Sequence, residues 1–194
     1  MQKRTRRSVK RTRRSFHDAS SERPTSVLRH AREFPIAGCW VQPGWQQYGT
    51  ASLLVARTQP TDEIAFARYL VDTFCLGLKH TFYGVNIDPV RFNSEILPRL
   101  YQGEPPTSLN VEVAHEIVYG AIEYAEGIGF RAHRNFRRTQ QLLDPPDAHP
   151  RGGSIEFGYR GRPAYLPSSD DNQRAILNRL VQTVGNGNFL YFLT

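Results

Sequence analysis

The stretch IAFARYLVDTFCLGLKH, residues 64–80, is an almost unbroken apolar run with one carboxylate, Asp72, set inside it. At the two-residue period of a strand, Ile64, Phe66, Arg68, Leu70, Asp72, Phe74 and Leu76 share one face. Ala65, Ala67, Tyr69, Val71, Thr73 and Cys75 share the other. Both faces are largely apolar, which predicts one central strand over 64–77, covered on both sides. Upstream, TASLLVART (50–58) reads as a second strand, and QPTDE (59–63) supplies the Pro and Asp turn chemistry that pairs the two as a hairpin. IAGCWV (36–41) is a first strand, reached across the loop PGWQQYG (43–49).

After Gly84 the period changes from two to between three and four. DPVRFNSEILPRLYQ (88–102) reads as a helix interrupted by Pro98. In 108–129, Val111, Ala114, Ile117, Val118, Ala121, Ile122 and Ala125 recur at helical steps, with Gly127 or Gly129 as the stop. RNFRRTQQLL (134–143) reads as a shorter helix ended by Asp144-Pro145-Pro146. GSIEFGYRGRPAYLP (153–167) reads as a hairpin turning at Arg160-Gly161, 170–184 as an amphipathic helix and 188–193 as an edge strand or an apolar docking segment. The fold expected is therefore α+β: an antiparallel sheet with three or four packed helices, preceded by a disordered Arg-rich arm. Residues 1–33 form the arm and connector, with a helical turn near SVLRHAREF, and 34–194 form a single domain.

Charge is divided unevenly along the chain. The formal net charge is +7, yet Lys3, Arg4, Arg6, Arg7, Lys10, Arg11, Arg13 and Arg14 place eight cations and no acid in the first 16 residues. The remaining 17 basic side chains face 18 acidic ones, so the body carries a net −1. A segment so charged and so poor in large apolar groups has nothing to pack and is expected to stay disordered. No apolar core of a secretory signal follows it, and no stretch approaches the ~20 apolar residues of a membrane span. An organelle transit peptide is also Arg- and Ser-rich, but Val9 and Phe16 make a poor amphipathic face. Cys39 and Cys75 both sit in apolar runs and read as buried free thiols, which fits a reducing, cytoplasmic setting.

Asp72 needs a partner, because an ionised carboxylate in an apolar face costs several kcal/mol when unpaired. Arg68 is about 13 Å away along the strand, too far for easy pairing, whereas Arg57 or Lys79 could reach. Two roles stay open: Asp72 ties down the CLGLKH backbone, or Asp72, Lys79, His80 and His115 share a pocket and do catalysis. Phosphoryl transfer would need further carboxylates converging on Asp72, with Asp88, Glu95 and Glu116 available. His115 and Glu116 alone read as the solvent edge of their helix. The six histidines show no metal-ligand spacing, GNGN (185–188) reads as helix-stop glycines, and no metal or other cofactor is expected.

A second basic cluster, FRAHRNFRR (130–138), interleaves Arg131, Arg134, Arg137 and Arg138 with Phe130 and Phe136. It reads either as a solvated helix face with both phenylalanines docked, or as a nucleic-acid surface. Arginine supplies 22 of the 25 basic residues, and its planar fork suits phosphate and base edges.

The segments from Trp45 to Gly84, HEIVYGAIEYAEGIGFRAHRNF (115–136), IEFGYRGRPAYL and the closing VGNGNF together resemble a group of uncharacterised bacterial proteins with the same segment order. The likeness covers residues 35–192 and implies no activity; the arm is outside it. The function expected from the residues is a non-enzymatic nucleic-acid-binding accessory protein, RNA ahead of DNA, the ribosome being one setting for such an arm. The alternatives are a metal-dependent nuclease or other phosphoryl-transfer enzyme centred on Asp72, and a protein-interaction module anchored by the aromatics of GWQQYG (44–49). No membrane partner is expected.

Overall fold

A computed structural model describes residues 23–102, 104–150 and 152–192. The eight cations of the expected arm lie outside the described residues. In chain order the elements are α1 (Pro24–His30), β1 (Ile36–Val41), the single turn α2 (Trp45–Tyr48), β2 (Thr50–Thr58), β3 (Ile64–Asp72) and β4 (Gly77–Ile87). Then come α3 (Pro89–Arg91), α4 (Leu97–Leu100), β5 (Thr107–Leu109), α5 (Val111–Gly127), α6 (Phe136–Thr139), β6 (Ala164–Tyr165), α7 (Gln173–Thr183) and β7 (Leu190–Tyr191). The expected α+β class is what the structure has. Five strands form one antiparallel sheet in the order β4-β3-β2-β1-β5.

The apolar residues of β3 are split between two cores by the pleat. Ala65, Ala67, Tyr69 and Val71 face α1, α5 and the 142–143 segment, while Ile64 and Phe66 face Phe92 and Tyr101 on the opposite side. A third cluster closes one end of the molecule, where Leu180, Ile176 and Leu177 of α7 meet Cys75, Leu76, Ile128 and Tyr165. Both cysteines are free and buried, and burial pushes the Cys39 thiol up to about 11.

Five expectations are corrected. The long strand 64–77 is two strands: β3 ends at Asp72, residues 73–76 turn, and β4 begins at Gly77, opposite Asp72. Gly77 is needed there, since it has φ +65° and a Cβ would meet the Ala121 carbonyl oxygen at 2.8 Å. Residues 24–33 belong to the packed body, because Val27, Leu28 and Ala31 are buried in the first core. The helix expected from 108 begins at Val111, and 107–109 instead pair with β1 as an edge strand. At 153–167 the Arg160-Gly161 turn exists, with a bridge between Tyr159 and Arg162, but β6 pairs in parallel with β7 and not within a hairpin. At 89–100 the helical run passes through Pro98, and the preceding turn, 92–96, widens to π spacing where proline offers no N–H.

Candidate functional site

Asp72 closes β3 with its side chain turned back onto the backbone. Its Oδ1 accepts N–H bonds from Phe74 and Cys75, each at 2.9 Å. The carbonyls of the same turn are used as well: Thr73 O accepts from Gly158 N at 2.9 Å and Phe74 O from Ala164 N at 3.0 Å. The carboxylate thus shapes a turn to which the 158–164 segment is fastened. Burial pushes its carboxyl up to about 6, against the pull of the Cys75 and Phe74 amides, of Lys79 and of the Leu76 amide.

A hollow of about 520 Å³ beside the turn brings together Asp72, Lys79 and His80, joined by Tyr48, Asp170 and Asp171. Lys79 Nζ pairs with Asp171 at 2.9 Å and donates to Ser168 Oγ at 3.2 Å. For Asp171, burial raises the carboxyl, but the Lys79 and Ser168 bonds outweigh it and hold the group below its ordinary value. Arg57 is not Asp72's partner. Its guanidinium is buried and donates to Asp144 Oδ1 at 2.6 Å, Phe34 O at 2.7 Å and Leu142 O at 2.9 Å.

The remaining residues expected to join Asp72 lie elsewhere. His115 and Glu116 are buried, not at a solvent edge; His115 Nε2 lies 2.8 Å from Pro145 O, and Glu116 accepts from Ser154 Oγ. Asp88 caps α3 through the Arg91 amide, and Glu95 pairs with Arg91. Among the described residues no group of three or more His, Cys, Asp or Glu could hold a metal ion. Trp45, the aromatic expected to anchor a protein partner, is a core residue at 6% exposure, whereas Tyr48 is 60% exposed.

The 130–138 cluster is built differently. His133 N donates to Leu78 O at 3.0 Å, Asn135 Nδ2 reaches Thr81 O at 3.4 Å, and buried Thr139 lies 3.0 Å from the Thr81 hydroxyl. Phe130 packs against the third core and Phe136 against the first. With the segment fastened at those points, Arg131, Arg134, Arg137 and Arg138 are left facing solvent. Across from them α7 is held by Thr183 Oγ1 donating to Ile128 O at 2.8 Å, and it contributes Arg179.

Between these walls runs a cleft of about 1140 Å³, lined by Arg131, Arg134, Arg137 and Arg179, with Glu126 its one acid among the described residues. None of the four arginines forms an ion pair among the described residues. Burial, then His80 and Arg134, push His133 below its ordinary value, so the fixed positive charge of the cleft is that of arginine. Arg138 lies next door, in a smaller hollow with Arg29 and Arg137. Arg179 and Arg29 were not among the expected site residues, since no local pattern in their segments marks them. Among the described residues no helix is long and apolar enough to cross a membrane. No protein-family model, curated protein or solved structure matches the chain.

Proposed function

We propose that the chain is a non-enzymatic nucleic-acid-binding protein whose arginine cleft tracks the phosphates of single-stranded RNA. The supporting observation is the cleft itself: four exposed arginines without ion-pair partners among the described residues, gathered on a body whose net charge is −1. Like charges crowd together at no benefit to folding, and a polyanion releases counterions when it neutralises them. A concave, cationic groove favours a single strand, whose backbone can be tracked along it. Phe130 and Phe136, half-buried against the cores, also line the cleft, so a base can stack beside the arginines that hold the backbone. The two buried free thiols, and the resemblance to bacterial proteins, support a bacterial cytoplasmic setting as part of the same proposal.

Phosphoryl transfer at Asp72 has less support. Asp72 Oδ1 is bound into its turn by two backbone amides, and Asp88, Glu95 and Glu116, the carboxylates that would have to join it, are engaged elsewhere.

The test is fluorescence anisotropy of a labelled single-stranded RNA against the full chain over a salt series. If the eight arm cations and four cleft arginines all contact phosphate, the log–log slope approaches about −8, at ~0.7 per contact. Absence of binding at low ionic strength would sink the proposal.

A further inference from the structure

We infer that the arginine cleft selects guanine, with Glu126 taking the donor edge of the base and Arg179 its acceptor edge. This rests on the nucleic-acid reading above and names the base that the groove prefers. Glu126 carries the inference, because its surroundings give a carboxylate no reason to be there. It is exposed, in the last turn of α5, where it faces the negative end of the helix dipole. Arg131, Arg134, Arg137 and Arg179 line the same cleft, yet none forms an ion pair with it among the described residues. Toward a phosphate backbone it is repulsive. A carboxylate that serves neither the helix nor the phosphates is left with the part of a strand that offers donors, the edge of a base.

The turn that ends α5 brings the parts together. Gly129 N donates to Glu126 O at 3.1 Å and Phe130 N to Ala125 O at 2.9 Å, which fixes Phe130 one turn beyond Glu126. Gly129, at φ +91°, lies so close to α7 that a Cβ would meet Arg179 Cδ at 3.0 Å. Glu126, Phe130 and Arg179 therefore border one part of the cleft. Other acceptors of the lining are in use: Asn172 Oδ1 accepts from Ala175 N at 3.2 Å, and His133 Nδ1 from Asn135 N at 3.3 Å. Gln140 donates through Nε2 to Arg137 O and keeps a single side-chain oxygen, whereas Glu126 has two. Paired oxygens call for two adjacent N–H donors, and an arginine fork calls for two adjacent acceptors. Guanine has both, N1–H with the N2 amine on its pairing edge and O6 with N7 on its major-groove edge. Adenine and cytosine offer one amine beside a ring acceptor, and uracil one N–H between two carbonyls. Phe130 supplies the surface on which the base stacks.

The experiment measures fluorescence anisotropy of the full chain with labelled oligouridylates of about 12 nucleotides, within the ~4–16 that one groove holds. The central position is U, A, C, G or inosine, which is guanine without the N2 amine. Glu126→Gln keeps the size of the side chain but accepts at one atom only, and circular dichroism melting checks that it folds. The unaltered chain is expected to bind the guanine strand about 5- to 150-fold tighter than the U, A and C strands, the range of one bidentate base contact. Inosine should forfeit most of that advantage. Glu126→Gln should abolish it while binding the all-uridine strand at least as well as before. Equal binding of all five strands, a preference for another base, an inosine strand held as tightly as the guanine strand, or a guanine preference that survives Glu126→Gln would overturn the inference while leaving nucleic-acid binding intact. Failure of the unaltered chain to bind any strand at low ionic strength removes the underlying function as well.

Discussion

The Asp72 hollow and the arginine cleft adjoin one another through His80 and His133, whose rings are 5.0 Å apart, yet they treat charge in opposite ways. In the hollow, Asp72 accepts backbone amides, Lys79 is paired with Asp171, and Asp171 also accepts from Tyr165 and Ser168. In the cleft, Arg131, Arg134, Arg137 and Arg179 have no such partners among the described residues. A charge whose partners are supplied by the fold is explained by the fold. A set of like charges left facing solvent gains nothing from folding, and the fold does not explain why it is gathered there. The perturbed carboxyl of Asp72 would ordinarily draw attention as a catalytic candidate, but burial within the turn it shapes accounts for the shift.

The largest effect expected of the paired class is at Arg57. Arg57→Met would leave Asp144 with His149 alone and strand the Phe34 and Leu142 carbonyls, so urea denaturation should show a loss of about 3–5 kcal/mol. A loss below ~1 kcal/mol would mean that these contacts form no cooperative part of the fold.

Asp72 sharpens the contrast through pH. Its carboxyl is raised from 3.8 to about 6 in the fold, so its contribution to stability is full below the ordinary value and is lost as pH rises through 6. Asp144 and Asp171 run the other way. Both are held below their ordinary values, and the stability they supply is lost as pH falls. Asp72→Asn keeps an acceptor oxygen for the turn while removing the titration. Relative to the unaltered chain it should gain about 2–3 kcal/mol between about pH 4 and about pH 7. A difference that does not change with pH would mean that Asp72 titrates as an exposed carboxylate does.

β1, β2 and β3 could be read in advance because their apolar faces repeat every two residues, and α5 and α7 because theirs repeat every three to four; β4 and β5 could not. Nor could the β3–β4 turn. Thr73, Phe74, Cys75 and Leu76 carry none of the usual turn residues, and what makes the turn is a side-chain carboxylate bonding amides two and three residues on, which leaves no mark on the period. Residues 24–33 were hidden for a related reason: Val27, Leu28 and Ala31 are too few to show a helical face, although Pro24 is in the favoured first position. His115 was misplaced despite its neighbours, since Ala114 and Val118 point into the core and one helical turn carries His115 with them. Of the cleft, the 131–138 arginines were visible because they are contiguous. Arg179 and Arg29 come to the same surface only through tertiary packing, as does Asp171 to Lys79, 92 residues apart.

The smallest effect expected on stability is also the most exposed to refutation. Arg131→Gln, Arg134→Gln and Arg137→Gln break no ion pair among the described residues and empty no part of a core, so each should change unfolding free energy by no more than about 0.5 kcal/mol. Their combined effect should appear instead in binding, where removing three phosphate contacts lowers the log–log salt slope by about 2. The two measurements decide together. A triple variant that keeps its stability and loses slope places these arginines with the ligand; one that loses more than ~1.5 kcal/mol and keeps its slope places them with Arg57, as charges the fold needs for itself.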